Sequence, residues 1–167
     1  MKTIILPGFS LKNKDWAYAA KYNLPEIEIM VHEWFHWITE SDSDFSIEQE
    51  VSRLNIKEPI NIIAKSIGTL IVVNMLKQNK ENKINKIIFN GIPLNDLKEE
   101  DFEVYKVLKD FDLDKTLFIQ NEEDIHGNHK EVSEFLKKIN PKVKVISKPG
   151  DTHEYPYWDE FRDFLQK

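Results

Sequence analysis

Apolar, largely β-branched stretches of strand length recur along the chain at 3–6, 27–31, 60–64, 87–90, 117–120 and 143–146. Most are continuous runs rather than alternations, the pattern of strands covered on both faces of a parallel sheet. The segments between them carry helical signals. Residues 46–54 open with Ser46-Ile47-Glu48-Gln49, which puts a capping hydroxyl at Ser46 and Gln49 at the box position. The stretch 69–78 reads as a helix directly behind the third strand. Residues 129–139 set Val132, Phe135, Leu136 and Ile139 on one helical face, and 157–165 do the same with Trp158, Phe161, Phe164 and Leu165. Strands alternating with helices predict a single-domain, three-layer α/β fold: about six mainly parallel strands with helices on both faces. The segment 93–112 exceeds a simple connection, holds a further helix over 97–108, and is a candidate small lid over a site. No repeat, low-complexity tract or linker divides the chain, so 1–167 is read as one domain.

In parallel sheets ligands bind beyond the carboxyl ends of the strands, so the residues that follow each strand carry the functional reading. The third strand and the residues after it run Ile60-Asn61-Ile62-Ile63-Ala64-Lys65-Ser66-Ile67-Gly68-Thr69. A β-branched run that stops at a serine, with small residues on either side and a helix beginning at once, is the sequence form of a nucleophile elbow. Such a turn holds the serine Oγ up to solvent and aims the free N–H groups of the helix at the place where an oxyanion forms. By itself a small-x-Ser-x-Gly pentapeptide is a weak signal, and an ordinary β–α turn has the same letters. After the first strand comes Leu6-Pro7-Gly8-Phe9-Ser10, where the Phe9 N–H is a candidate oxyanion donor. The Ile67 N–H is the second candidate.

A serine needs a base, and histidine is the side chain whose proton affinity suits that role near neutral pH. The imidazole in turn needs a carboxylate to hold its tautomer. The fifth strand is followed by Asn121-Glu122-Glu123-Asp124 and the sixth by Gly150-Asp151-Thr152-His153. Serine, then acid, then histidine is the triad order of one fold in particular.

On these motifs the chain resembles a small α/β-hydrolase superfamily protein, of the compact, serine-hydrolase-like and esterase type, over nearly its whole length. The resemblance implies Ser66 as nucleophile, His153 as base and Asp124 as acid. Asp124 stands at the Asp of a G-x-x-D pattern whose Gly is here Asn121, and Gly150 to His153 match G-x-x-H. Asp96, after the fourth strand, is the next candidate acid; Glu122, Glu123 and Asp151 are also near. The first glycine of the elbow is replaced by Ala64. The histidine that often precedes the first-strand glycine is replaced by Pro7, so support for the oxyanion loop has to come from elsewhere. The expected activity is hydrolysis of a small ester or thioester through an acyl-enzyme, with no metal and no organic cofactor. The alternative is an α/β-hydrolase-fold binding protein with little or no catalysis.

Bulk properties narrow the partners. A formal charge of −6 over 167 residues leaves no basic face for nucleic acid, and the lysines of 77–86, broken by Asn and Glu, read as a solvated helix end. The absence of cysteine excludes disulfides, thiolate chemistry and cysteine-ligated zinc. No run is long enough for a signal peptide or a membrane span, which makes a cytoplasmic location the default expectation. The expected partner is a small-molecule acyl substrate. Aromatics around Trp34 and Trp158 leave monomer and homodimer both open.

One motif competes. His32-Glu33-Trp34-Phe35-His36 matches H-E-x-x-H, which on a helix binds zinc in metallopeptidases. Here it abuts a strand-like run and ends in Thr39-Glu40-Ser41-Asp42-Ser43-Asp44, a loop composition with no evident third ligand. The preferred reading is a bulky loop at the carboxyl end of the second strand, with Trp34 and Phe35 as candidate pocket residues.

Overall fold

The computed structural model describes residues 1–78 and 83–167; of the lysine-rich run 77–86, residues 79–82 lie outside it. Six strands form one all-parallel sheet: β1 (Thr3–Leu6), β2 (Ile29–Val31), β3 (Ile60–Lys65), β4 (Ile84–Asn90), β5 (Thr116–Asn121) and β6 (Val145–Lys148). Their order is β2-β1-β3-β4-β5-β6. Among the described residues there are seven α-helices: α1 (Asn13–Asn23), α2 (Phe35–Thr39), α3 (Ile47–Arg53), α4 (Ile67–Lys77), α5 (Glu99–Tyr105), α6 (His129–Ile139) and α7 (Trp158–Gln166).

The continuous apolar runs are explained by burial on both faces. Along the strands, Ile4, Leu6, Ile62, Ala64, Ile87, Phe89 and Phe118 turn to one side, where they meet Val51 of α3, the apolar face of α4, and Val132 and Leu136 of α6. Ile5, Ile63, Ile88 and Ile119 turn to the other, against Trp16, Ala17 and Ala20 of α1 and Phe161 of α7. Successive side chains of a strand alternate between faces, so only a run that is apolar throughout can fill both layers. Registers Ile5↔Ile63 and Ile63↔Ile88 align the second row across the centre of the sheet.

Two local features differ from the sequence reading. Helix α1 is not evident from periodicity, because the face that it buries is made largely of Ala17 and Ala20, which are weak apolar signals. Residues 35–39 form a short helix rather than a loop. Within 93–112, α5 and the following 106–109 turn dock into the main core: Tyr105 and Leu108 are fully buried, and the Tyr105 hydroxyl lies 2.7 Å from Thr69 Oγ1 of α4.

From β1 the chain passes to β2 on one side and returns to β3 on the other. The carboxyl ends of β1 and β3 therefore flank a topological switch point, the crevice where open α/β sheets bind ligands. Gly8 and Ser66 sit at those two ends.

Candidate active site

Ser66 is the whole connection between β3 and α4. Its backbone lies at φ 56°, ψ −126°, a conformation that L-residues rarely adopt and that costs about 1–3 kcal/mol. The turn is tied at both ends. The Ser66 N–H donates to Asn90 O at 3.1 Å, and Ser66 O accepts from the Thr69 N–H at 2.8 Å and from its hydroxyl at 2.7 Å. Close approach of α4 to the sheet depends on Gly68, whose missing Cβ would lie 2.1 Å from Leu6 O. Ile67 opens the helix, where first-turn N–H groups have no acceptor within the helix.

The candidate acid and the candidate base come together from two other strand ends. His153 Nδ1 is 2.6 Å from Asp124 Oδ2. The same oxygen accepts from the Tyr155 hydroxyl at 2.5 Å, and Asp124 Oδ1 accepts from the His126 N–H at 2.9 Å. Burial pushes the Asp124 carboxyl up, but its hydrogen bonds from His153 and Tyr155, with the charge of His153, hold it below the usual carboxylate range. Burial drives the Tyr155 hydroxyl far above its ordinary value, which keeps it a donor. Beside Ser66 the chain continues from Asn90 to Gly91, at φ 62°. A Cβ there would meet Tyr155 Cε2 at 2.5 Å and His153 Cε1 at 3.1 Å. The glycine makes room for the imidazole directly after Asn90, whose carbonyl takes the Ser66 N–H. His153 Nε2 is buried and has no hydrogen-bond partner among the described residues, so the Ser66 hydroxyl is not bonded to it in this state.

The other candidate acids are placed elsewhere. Asp96 pairs with His126, Oδ2 to Nδ1 at 2.6 Å, and the His126 ring rests 4.4 Å from that of His153. Glu122 accepts from Ser147, while Asp151 and Glu123 are exposed. Asn121, standing where the glycine of G-x-x-D is usual, donates to Thr152 O at 2.8 Å and Glu154 O at 2.9 Å, and so braces the histidine loop. Tyr155 and Lys65 are absent from the sequence reading. Tyr155 is an unmarked aromatic two residues after His153, and only the fold turns its hydroxyl to Asp124. Lys65 Nζ is buried beside the turn, with Asn13 Oδ1 at 2.7 Å and Glu154 Oε2 at 3.2 Å; burial lowers its proton affinity, against the pull of Glu154 and Asp124.

The loop after β1 leaves the sheet at Leu6, which is in register with Ala64 and packs under Gly68. The Phe9 N–H has no acceptor among the described residues. The carbonyls on either side of it are engaged: Gly8 O by the Trp34 indole N–H at 2.9 Å, and Phe9 O by the Trp37 indole N–H at 2.7 Å and His36 Nε2 at 2.9 Å. Ser10 O accepts from Asn13 Nδ2 at 3.0 Å. This is the support that Pro7 does not offer. Trp34 is fully buried, so it holds the loop from behind instead of lining an open pocket, and Phe35 lies partly buried under the Arg53 guanidinium.

The H-E-x-x-H segment is not a zinc helix. Residues 32–34 precede α2, so the two imidazoles do not share a helical face. His32 Nε2 meets Glu50 Oε2 at 2.8 Å while His36 turns to Phe9 O, and Glu33 takes a hydrogen bond from the Tyr18 hydroxyl and an ion pair from Lys14. No group of three His, Cys, Asp or Glu suited to a metal occurs among the described residues.

The depressed Asp124 carboxyl carries a pH signature. A carboxyl whose folded pKa lies below its unfolded value contributes stability that is present above about pH 4 and lost as pH falls through the folded pKa. The melting-temperature gap between wild type and Asp124→Asn is therefore expected to be widest at neutral pH and to shrink as pH drops from about 5 to 3. A gap independent of pH over that range would contradict the charged Asp124 network.

No family model matches the chain, and no curated protein sequence does. Solved structures do match over nearly its whole length. Mouse alpha/beta hydrolase domain-containing protein 10 aligns at 12% identity and TM-score 0.67, over 99% of this chain and 88% of that one. Bromoperoxidase from Bacillus anthracis aligns at 15% identity and TM-score 0.61, over 99% and 92%. Monoacylglycerol lipase from Paleococcus ferrophilus aligns at 13% identity and TM-score 0.59, over 98% and 91%. At these identities the likeness is one of fold.

Proposed function

We propose that this chain, which has the α/β-hydrolase fold, is a serine hydrolase that cleaves a small ester or thioester. The observation that carries the reading is the strained Ser66 turn, bonded to Asn90 O, with the His153 imidazole packed at the adjoining Gly91 and its Nδ1 held by Asp124. A non-glycine residue held at φ 56°, ψ −126°, outside the αL region, is the kind of backbone outlier that clusters at active sites. In the proposed reaction Ser66 Oγ attacks the acyl carbonyl as His153 Nε2 takes its proton. The Phe9 and Ile67 N–H groups receive the oxyanion, and His153 passes the proton to the departing alcohol or thiol. Water activated by His153 then attacks the acyl-enzyme and releases the acid. Asp124 stays ionised throughout and stabilises the imidazolium; Tyr155 holds the far side of that carboxylate. The ester substrate named by the aligned monoacylglycerol lipase is consistent with this class.

The unpartnered His153 Nε2 favours a second reading, a binding protein that keeps the constellation without using it. Triad contacts are often loose without substrate and tighten on binding. The two readings separate on treatment with a fluorophosphonate probe. A serine hydrolase labels at Ser66, located by peptide mass spectrometry, and loses the label in His153→Ala. Folded wild-type protein that takes no label would leave the binding reading standing.

A further inference from the structure

We propose that Trp34 is a positioning residue of the oxyanion site, aiming the Phe9 N–H by holding the other edge of the same peptide group; the inference rests on the serine-hydrolase reading above. The Phe9 N–H and the Gly8 carbonyl belong to one planar trans peptide, so they point in opposite directions, and fixing one fixes the other. The indole N–H of Trp34 fixes the carbonyl at 2.9 Å. Nothing among the described residues competes for the Phe9 N–H on the opposite edge. An oxyanion donor is effective because it is aimed before the charge develops.

Trp34 is itself locked. It is fully buried, and its ring meets those of His32, Trp37 and Phe45 edge-on at 5.0–6.3 Å. The start of α2 is pinned by buried Glu50, which accepts from the Phe35 N–H at 2.7 Å and also contacts His32 Nε2 and Arg53 Nη1. The H-E-x-x-H segment thus has a physical role without a metal: it clamps the loop after β1. The two tryptophans differ in what they aim. Trp37 holds Phe9 O, which orients the next peptide and the Ser10 N–H, and His36 Nε2 backs it on the same oxygen. Trp34 is the sole donor to Gly8 O among the described residues.

That asymmetry gives the test. Trp34→Phe and Trp37→Phe each remove one indole N–H and shrink one core ring, and comparable losses of melting temperature are expected. Steady-state hydrolysis of p-nitrophenyl acetate by Trp34→Phe should show kcat lowered about 10- to 100-fold with KM within about threefold, as for a weakened oxyanion donor. Trp37→Phe should stay within about threefold in kcat, because His36 still holds Phe9 O. The residual dipolar coupling of the Phe9 amide, measured on 15N-labelled protein in a dilute alignment medium, reads the aim without any turnover. It should be retained in Trp37→Phe and averaged in Trp34→Phe. Unchanged coupling in Trp34→Phe, or equal kcat losses that track melting temperature in both variants, overturns the proposal. A wild type that neither labels nor turns over ester removes the serine-hydrolase reading, and the coupling still decides whether Trp34 aims Phe9.

Discussion

Ser66→Ala is expected to lower ester turnover by at least about 10⁴-fold while the fold persists. The loss follows from the proposed chemistry: without Oγ there is no acyl-enzyme, and the proposed oxyanion donors alone give only residual acceleration. The structural consequence is less obvious. Alanine has a Cβ, so the strain at φ 56°, ψ −126° remains and the melting temperature should hardly move. Ser66→Gly should be equally inactive yet more stable. Relief of about 1–3 kcal/mol of strain exceeds the roughly 0.5–1 kcal/mol entropy cost of glycine. A net gain near 1 kcal/mol corresponds to a rise of about 2–4 °C in a chain of this size. Thermal melts and turnover on the same three proteins check both halves. Turnover that survives in Ser66→Ala would end the serine-hydrolase proposal. A Ser66→Gly melting temperature below that of Ser66→Ala would contradict the strain.

The largest effect on stability is expected at Gly68. A Cβ there would lie 2.1 Å from the Leu6 carbonyl oxygen and 2.8 Å from its carbon, both backbone atoms of β1. Neither can give way without moving the strand, because Leu6 is in register with Ala64 on β3. Overpacking usually costs about 1–3 kcal/mol where side chains can shift; here Gly68→Ala should cost about 3 kcal/mol or more. Gly150→Ala is the informative comparison. Its Cβ would meet nothing within 4 Å, but its φ of 141° is one that alanine tolerates poorly, so its cost is conformational alone. Chemical denaturation should rank Gly68→Ala well below Gly150→Ala. Equal losses would mean that α4 can lift from the sheet, and with it the Ser66 turn.

The contrast between these two glycines shows how unevenly the site is written into the sequence. Spacing reveals that a small residue follows Ser66 by two positions; only the approach of α4 to Leu6 reveals why. Asn121 is a departure from a pattern when read as a letter, and a brace on Thr152 and Glu154 when seen in place. Tyr155 and Lys65 leave no mark at all in the sequence, since nothing in an isolated tyrosine or lysine tells what it will face after folding.

Local order is legible from the residues alone: continuous β-branched runs separated by helical periods, a serine where a run ends, and an acid and a histidine after later runs. Backbone geometry and burial act over a few residues, so runs and turns are legible one at a time. Which of Asp124 and Asp96 meets His153 was decided only by the tertiary structure, because both follow strands and only the sheet order and loop packing bring one of them within 2.6 Å. The same holds for His32-Glu33-Trp34-Phe35-His36. Its letters fit a metal helix, but the chain leaves β2 extended, α2 starts at Phe35, and Glu50 from a separate helix takes the His32 ring. Contacts between residues far apart in the chain turned those aromatics into the clamp on the loop beside Ser66.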